Sequence, residues 1–225
     1  MFRLYQRDRN QFCQRIKALK PILYSFRRCP FAIRARMTLN YAALGVELRE
    51  VLLRDKPPSM LIASPKGTVP ILILPDGSVI DESIEVMRWA LTRSDPDHWW
   101  REDMATEINT LVEENDLVFK RHLDHYKYAD RYPAHPQEFY RDEAEKFLSQ
   151  LEHRLVLKRY LMDDQLTFPD VAVFPFVRQF AFVDKTWFDQ APYPKLQAWL
   201  QSFLDSELFS AVMKKFPVWH ETIND

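Results

Sequence analysis

The hydrophobic pattern of this 225-residue chain changes at residues 94–97, where a Ser-Asp-Pro-Asp stretch interrupts it. Before this break, apolar runs of strand length alternate with segments of helical period; after it, only helical patterns remain. Alternating strands and helices predict an α/β domain, and successive helices predict a helical one. We therefore predict a basic arm at residues 1–20, an α/β domain at 21–93, a linker at 94–100 and an all-helical domain at 101–225.

The α/β domain is predicted to contain a βαβ unit followed by a ββα unit. Its strands are predicted at residues 21–24, 46–53, 70–74 and 79–80, and its helices at residues 31–44 and 83–92. We expect Gly45 to end the first helix, because glycine adopts the left-handed conformation that often follows a helix. Residues 54–68 are rich in proline and polar side chains, which predicts a loop.

The composition narrows the class of protein. Only three glycines occur in the chain, which favours a mainly helical fold, and a net charge of −1 gives no sign of a nucleic-acid or membrane-surface partner. No apolar run approaches the roughly 20 residues that span a bilayer. Cys13 and Cys29 form no disulfide framework and no signal peptide is recognisable, so we expect a reducing, cytoplasmic location. The arm is Arg-rich but lacks the serines of a transit peptide, and packing against the body is the favoured reading.

Cys29 is the residue to which this sequence most directly assigns chemistry. It follows Arg27 and Arg28 and precedes Pro30 at the predicted start of a helix. A helix N-terminus and nearby cations both stabilise a thiolate, the reactive form of cysteine. The fourth position of the motif is Ala32 instead of a second cysteine, so the resolving thiol has to come from another molecule. We predict that Cys29 is a nucleophile; the alternative is a small buried apolar side chain.

Two further motifs suit a peptide-like ligand that carries both charges. A cis peptide bond between Val69 and Pro70 would turn the Val69 backbone outward, where a peptide could pair with it as an added strand. Ser83 as a helix N-cap would bind an anion, and Glu82 would bind an ammonium group. The alternatives are an ordinary proline at a strand start and an ordinary capping signal.

The helical half contains one stability motif and one weak metal signal. Thr167, followed three residues later by Asp170, predicts a capping box worth roughly 1 kcal/mol for the cap, and no chemistry. His122 and His125 lie three residues apart on a predicted helix, but no cysteine or acid cluster completes a metal site. We expect no metal.

In this order and spacing, the motifs resemble the cytosolic glutathione transferase superfamily over about residues 20–215. The Cys-Pro-Phe sequence is most similar to its cysteine-type members, the omega class and bacterial relatives. The resemblance implies a thioredoxin-like domain that binds glutathione and an all-helical domain with the second-substrate site, around residues 119–128 and 174–182. It assigns roles to seven residues: the nucleophile Cys29, and glutathione contacts from Phe31, Lys56, the backbone of Val69 ahead of a cis Pro70, Glu82 and Ser83.

The function implied is a glutathione-dependent thiol transferase or reductase that works through a mixed disulfide of Cys29 with glutathione. Glutathione would be the cosubstrate, and the partner a small molecule or a disulfide. The resemblance also implies a homodimer. Conjugation or reductive dehalogenation of small electrophiles is an alternative within the same fold. A non-catalytic protein-binding module is the alternative from another class.

Overall fold

The computed structural model describes residues 20–221, whose contacts group them into two compact units. The first unit contains residues 20–90 together with the returning stretch 214–221, and the second is Leu91–Met213. The predicted basic arm, except for its last residue, Lys20, lies outside the described residues.

The first unit is built on a four-stranded mixed sheet of β1 (Ile22–Ser25), β2 (Glu47–Glu50), β3 (Ile71–Ile73) and β4 (Val79–Ile80). The strands lie in the order β2-β1-β3-β4. All four predicted strands are present: the fourth has the predicted bounds, and the other three are shorter than expected or shifted by one residue. Strand β1 runs parallel to β2 and antiparallel to β3, which pairs antiparallel with β4.

Three helices belong to this unit: α1 (Pro30–Tyr41), α2 (Pro58–Ala63) and α3, which starts in it and runs over Ser83–Arg93. The prediction of an uninterrupted loop at residues 54–68 was wrong, because α2 lies within it. The proline pair reads as a helix breaker, yet Pro58 occupies the first helical turn, where its missing N–H costs little.

The predicted end of α1 was also wrong. The helix ends at Tyr41, and Ala43 takes the left-handed conformation, with φ 54°. The Leu44 N–H then bonds to the Leu39 carbonyl at 3.0 Å, which satisfies a carbonyl of the last turn. Gly45 has no part in this termination.

Successive residues of the central strands point to opposite faces of the sheet, and each face has its own core. Leu23 and Leu72 are paired in register and pack with apolar residues of α1 and α3. Tyr24 and Ile71 pack on the other face with Val51, Met60 and Val69, against which Cys29 and Trp219 also lie.

The second unit contains no strand within Leu91–Met213, so the predicted fold class, an α/β domain followed by an all-α one, is confirmed. The first long helical stretch of this unit, residues 105–127, consists of three consecutive segments, of which the middle one is π-helical. The helical segments are α4 (Ala105–Glu113), the π segment (Glu114–Phe119), α5 (Lys120–Lys127), α6 (Gln137–Leu157), α7 (Phe168–Ala181), α8 (Lys185–Gln190), α9 (Pro194–Leu204) and α10 (Glu207–Val212), with 3-10 turns at Glu102–Met104 and Ala129–Arg131.

Aromatic side chains fill the core of the helical unit. The ring of Phe119 lies 5.8 Å from that of Phe180, and Tyr126 contacts the same ring at 5.1 Å. Phe174 stacks on Phe203 at 4.5 Å. Several aromatics of the predicted second-substrate region are therefore buried core residues. None of the helices between residues 20 and 221 has the length and apolarity that crossing a membrane requires.

Candidate active site

Cys29 stands at the junction of a tight turn and helix α1. The turn begins at Phe26, whose carbonyl accepts the Cys29 N–H at 3.0 Å, and the Cys29 carbonyl accepts the Ile33 N–H at 2.9 Å. Cys29 is the N-cap residue with extended backbone, and Pro30 follows in the first turn. The first turn of α1 contains no acidic residue. The sulfur is therefore held at the positive end of the helix dipole without a competing carboxylate in that turn.

In the structure, Cys29 lies beside the segment Val69–Pro70. The Cys29 thiol donates a hydrogen bond to the Val69 carbonyl at 3.7 Å, across 40 positions of sequence. The peptide bond between Val69 and Pro70 is cis. Cys29 is partly exposed. The structure therefore places a partly exposed cysteine beside the backbone of the cis-proline segment.

Ser83 is not the N-cap residue of α3, as the sequence suggested, but the first residue of that helix. The Glu82 carbonyl accepts the Val86 N–H at 3.0 Å, which puts the cap at Glu82. The Ser83 hydroxyl oxygen instead accepts two hydrogen bonds from Arg34, at 3.0 Å from Nε and 2.9 Å from Nη2. Both side chains are buried. A hydroxyl that accepts from a guanidinium retains its own proton for donation to a carboxylate.

Arg34 also connects this hydroxyl with Phe31. Its guanidinium lies over the Phe31 ring, 5.1 Å from the centroid. The sequence gave no role to Arg34, although an arginine between apolar residues of a helix is a signal of a buried, paired cation. Phe31, Arg34 and Ser83 form one contiguous group through these contacts.

The acidic pair before α3 is held by a lysine that the sequence did not single out. Lys66 Nζ lies 2.6 Å from a Glu82 carboxylate oxygen and 3.1 Å from one of Asp81. Asp81 also accepts a 2.6 Å hydrogen bond from the Ser64 hydroxyl, and this bond, followed by Lys66, lowers the pKa of the Asp81 carboxyl. The Glu82 side chain is 65% exposed, so an incoming ammonium group can reach it.

The side chain of Lys56 lies against Gly67, two residues before Val69. A side-chain carbon added at Gly67 would approach Lys56 Nζ to 3.2 Å, and Gly67 has φ +62°, a conformation that other residues rarely adopt. Gly67 thus gives the lysine side chain room beside the Val69–Pro70 segment.

A second buried arginine, Arg36, contacts the turn that runs from Phe26 to Cys29. Arg36 donates from Nη2 to the Arg27 carbonyl at 2.7 Å, and Glu50 accepts the Arg27 N–H at 2.7 Å. Arg36 is 5% exposed and Glu50 8%. Burial lowers the pKa of Arg36 to about 10, while the Glu50 carboxylate and the Cys29 sulfur oppose this shift. Arg36 therefore remains a cation at neutral pH.

Thr167 and Asp170 lie in the other unit, at the start of α7. Asp170 Oδ2 accepts the Thr167 N–H at 3.0 Å and the Thr167 hydroxyl at 2.8 Å. Its Oδ1 accepts the Leu161 N–H at 2.9 Å and the Trp199 indole N–H at 3.0 Å. Complete burial raises the pKa of Asp170 to about 6, against the opposing effect of these four donors. This geometry serves stability, since every oxygen of the carboxylate is occupied within the core.

Metal-binding groups do not cluster anywhere in residues 20–221. His125 packs its ring on Tyr132, with centroids 3.8 Å apart. Burial lowers the pKa of His122.

The helical unit has a cavity of about 270 Å³ away from the predicted second-substrate stretches, lined by Leu155, Arg159, Tyr160, Lys195, Ala198, Trp199 and Ser202.

Comparison with known proteins supplies a family. Residues 23–98 match the model of the glutathione S-transferase N-terminal domain, and residues 110–202 match that of the C-terminal domain. Glutathione S-transferase omega-1 of Rattus norvegicus is 26% identical over 200 residues, 84% of this chain and 78% of the relative. The probable glutathione S-transferase parA of Nicotiana tabacum is 27% identical over 209 residues, 89% of this chain and 90% of the relative.

Solved structures agree in fold. A glutathione transferase family member from Pseudomonas fluorescens, crystallised with two glutathione bound, superposes with a TM-score of 0.76 at 18% identity. The match covers 86% of this chain and 92% of the solved one. The two domain models together cover most of the chain in the expected order, and the structure has the corresponding architecture. This chain belongs to the glutathione S-transferase family.

Proposed function

We propose that this protein is a cysteine-type glutathione transferase that reduces mixed disulfides, with Cys29 as the nucleophile. The observation that carries the proposal is the contact between the Cys29 thiol, at a helix N-terminus, and the Val69 carbonyl, at the backbone edge where a peptide thiol can pair. A cysteine thiolate in this position can itself attack the sulfur of a disulfide.

The charges near this sulfur match those of glutathione, which carries two carboxylates and one ammonium group. Ser83 donates its hydroxyl proton to the γ-glutamyl carboxylate, supported by the Arg34 cation behind it. Glu82 receives the γ-glutamyl ammonium in place of Lys66. The Val69 backbone pairs with the cysteinyl part, Lys56 reaches the glycyl carboxylate and Phe31 forms part of the wall.

The reaction proceeds by two thiol–disulfide exchanges. The Cys29 thiolate attacks the glutathionyl sulfur of a mixed disulfide, the S–S bond breaks, and the substrate leaves as a thiolate that takes a proton from solvent. A second glutathione thiolate then attacks the disulfide between Cys29 and glutathione. Oxidised glutathione leaves, and Cys29 returns to the thiolate.

The test is Cys29→Ala in a Cys13→Ser background, with hydroxyethyl disulfide and glutathione as substrates. We expect the rate to fall by at least about a thousandfold, to the uncatalysed level, because the nucleophile is gone. Retention on a glutathione column should persist, since the other contacts remain. Full activity in the variant would refute the mechanism, and higher activity of the parent towards chlorodinitrobenzene than towards the disulfide would favour conjugation instead.

We also expect a cytoplasmic homodimer, as the family resemblance implies. Light scattering of the purified protein should give twice the chain mass of 26.9 kDa. A monomeric mass would contradict the dimer and leave the chemistry of Cys29 unaffected.

A further inference from the structure

Two buried, oppositely charged side chains, Glu50 and Arg36, bond to the turn that ends at Cys29. Arg27 is one of its two central residues, and both of its peptide groups are bonded: the N–H to Glu50 Oε1 and the carbonyl to Arg36 Nη2, each at 2.7 Å. Glu50 is the last residue of β2, and Arg36 lies on α1, two turns after Cys29 and on the same side of the helix. The turn is thus fixed to a strand end and to a helix.

Burying these two charged groups costs free energy of folding, so their contribution to stability does not explain why they are there. Both side chains are more than nine-tenths buried, and Arg36 Nε, Arg36 Nη1 and Glu50 Oε2 have no hydrogen-bond partner among residues 20–221. Replacing such a buried pair with apolar side chains is often neutral or stabilising. A buried pair with incomplete hydrogen bonding directly below a reactive residue therefore indicates a role in positioning that residue.

The charged groups around Arg36 support the same positioning role. The charged groups facing the Arg36 guanidinium are Glu50 from β2, Arg27 from the turn and the Cys29 sulfur at the helix start. Glu50 and the Cys29 sulfur favour the charged form of Arg36, and Arg27 opposes it. A thiolate gains from a cation that is held in place in a water-poor environment.

We propose that Arg36 and Glu50 are positioning residues that clamp the peptide groups of Arg27 and thereby hold Cys29 at the helix N-terminus as a thiolate. The proposal rests on the proposed function only in assigning catalysis to Cys29; the reactivity of the thiol can be measured without turnover. Neither side chain is expected to touch glutathione.

The test measures the rate of Cys29 alkylation by iodoacetamide between pH 4 and 10, with Cys13→Ser in every variant so that one cysteine remains. The decisive variant is Arg36→Met with Glu50→Gln, which removes both charges at similar volume and leaves no unpaired buried charge. We expect its alkylation midpoint to rise by about one pH unit, which is tenfold less thiolate below the midpoint. Disulfide reduction should fall about tenfold in kcat, with the KM for glutathione changed by less than threefold.

Two single variants sharpen the result. Arg36→Lys retains the cation but loses the planar fork, and should recover part of the shift. Arg34→Met is the matched control on the same helix: it should raise the KM for glutathione but leave the alkylation midpoint within about 0.3 units. Circular dichroism and urea unfolding establish that each variant is folded.

An unchanged alkylation profile and kcat in the folded double variant would overturn the proposal. An equal shift in Arg34→Met would also overturn it, because the thiol midpoint would then respond to the loss of a buried arginine of α1 that does not bond to the peptide groups of Arg27. If Cys29→Ala retains reductase activity while the double variant still shifts the alkylation midpoint, the proposed function fails and the clamp stands.

Discussion

The starts of helices α1 and α7 share a backbone design and differ in what surrounds it. Both follow an N-cap residue with extended backbone, and both have a proline in the first turn. At α7 the acid Asp170 stands in the first turn and bonds back to Thr167, whereas the first turn of α1 has no acid and Cys29 makes no capping hydrogen bond. One helix start is satisfied internally by a carboxylate, and the other has a cysteine sulfur at the positive end of its dipole. A family fold can thus use the same local geometry once for stability and once for chemistry.

The largest expected difference between the two helix starts is in what each contributes to the free energy of unfolding. Asp170→Ala leaves the buried N–H groups of Thr167, Leu161 and Trp199 without their acceptor, and should lower the free energy of unfolding by about 3–5 kcal/mol at pH 7. Cys29→Ala should change it by less than about 1 kcal/mol, because the thiol is partly exposed. Urea unfolding of the two variants measures both values. Equal losses would remove the distinction between a structural and a chemical helix start.

The pH dependence of stability should carry the signature of Asp170. Its pKa in the fold is raised to about 6 from an ordinary value of 3.8, so the part of its stabilising contribution that depends on protonation is complete below about pH 4 and is lost as the pH rises through about 6. The change is on the order of 3 kcal/mol for a shift of about two units. Asp170→Asn should lack this component, so the difference in unfolding free energy between parent and variant should shrink from pH 4 to pH 7. A constant difference would show that Asp170 does not titrate in this range.

Ser83→Ala tests the ligand side of the comparison. The variant loses the hydroxyl that would bind the γ-glutamyl carboxylate and leaves Arg34 without this acceptor. We expect the KM for glutathione to rise about tenfold, the equivalent of about 1.4 kcal/mol, with the alkylation midpoint of Cys29 unchanged. Steady-state kinetics with varied glutathione provides the value. A shift in the thiol midpoint instead would mean that the two sites are not separate.

The smallest expected effect concerns Lys66. It holds Glu82 in the structure and would compete with the ammonium group of glutathione for that carboxylate. Lys66→Ala should therefore lower the KM for glutathione by about two- to threefold, a modest change because both side chains are exposed. A raised KM would show that Lys66 itself contacts the ligand. Lys146→Ala, which removes a surface ion pair with Glu143 in the helical unit, is the control.

The sequence by itself determined the features that depend on neighbouring residues. Strand and helix periods revealed the α/β half and the helical half, the Cys-Pro step located the start of α1, and the Thr167–Asp170 spacing matched a capping box. The helix α2 was missed because the residues before it resemble a loop. The end of α1 was misplaced because Ala43, held by the Schellman-type bond of Leu44, adopts a conformation expected of glycine.

Only the tertiary structure decided which distant residues meet. Cys29 contacts Val69 across 40 positions, Arg34 bonds Ser83 across 49, and Glu50 reaches the peptide of Arg27 from another strand. Local periodicity carries no information on such pairs, since they depend on how the sheet and its helices pack. The sequence therefore predicted a reactive sulfur at Cys29 and most of the ligand contacts that we propose for it. The buried arginines that support them became visible only in the fold, because burial and pairing are properties of the packed chain.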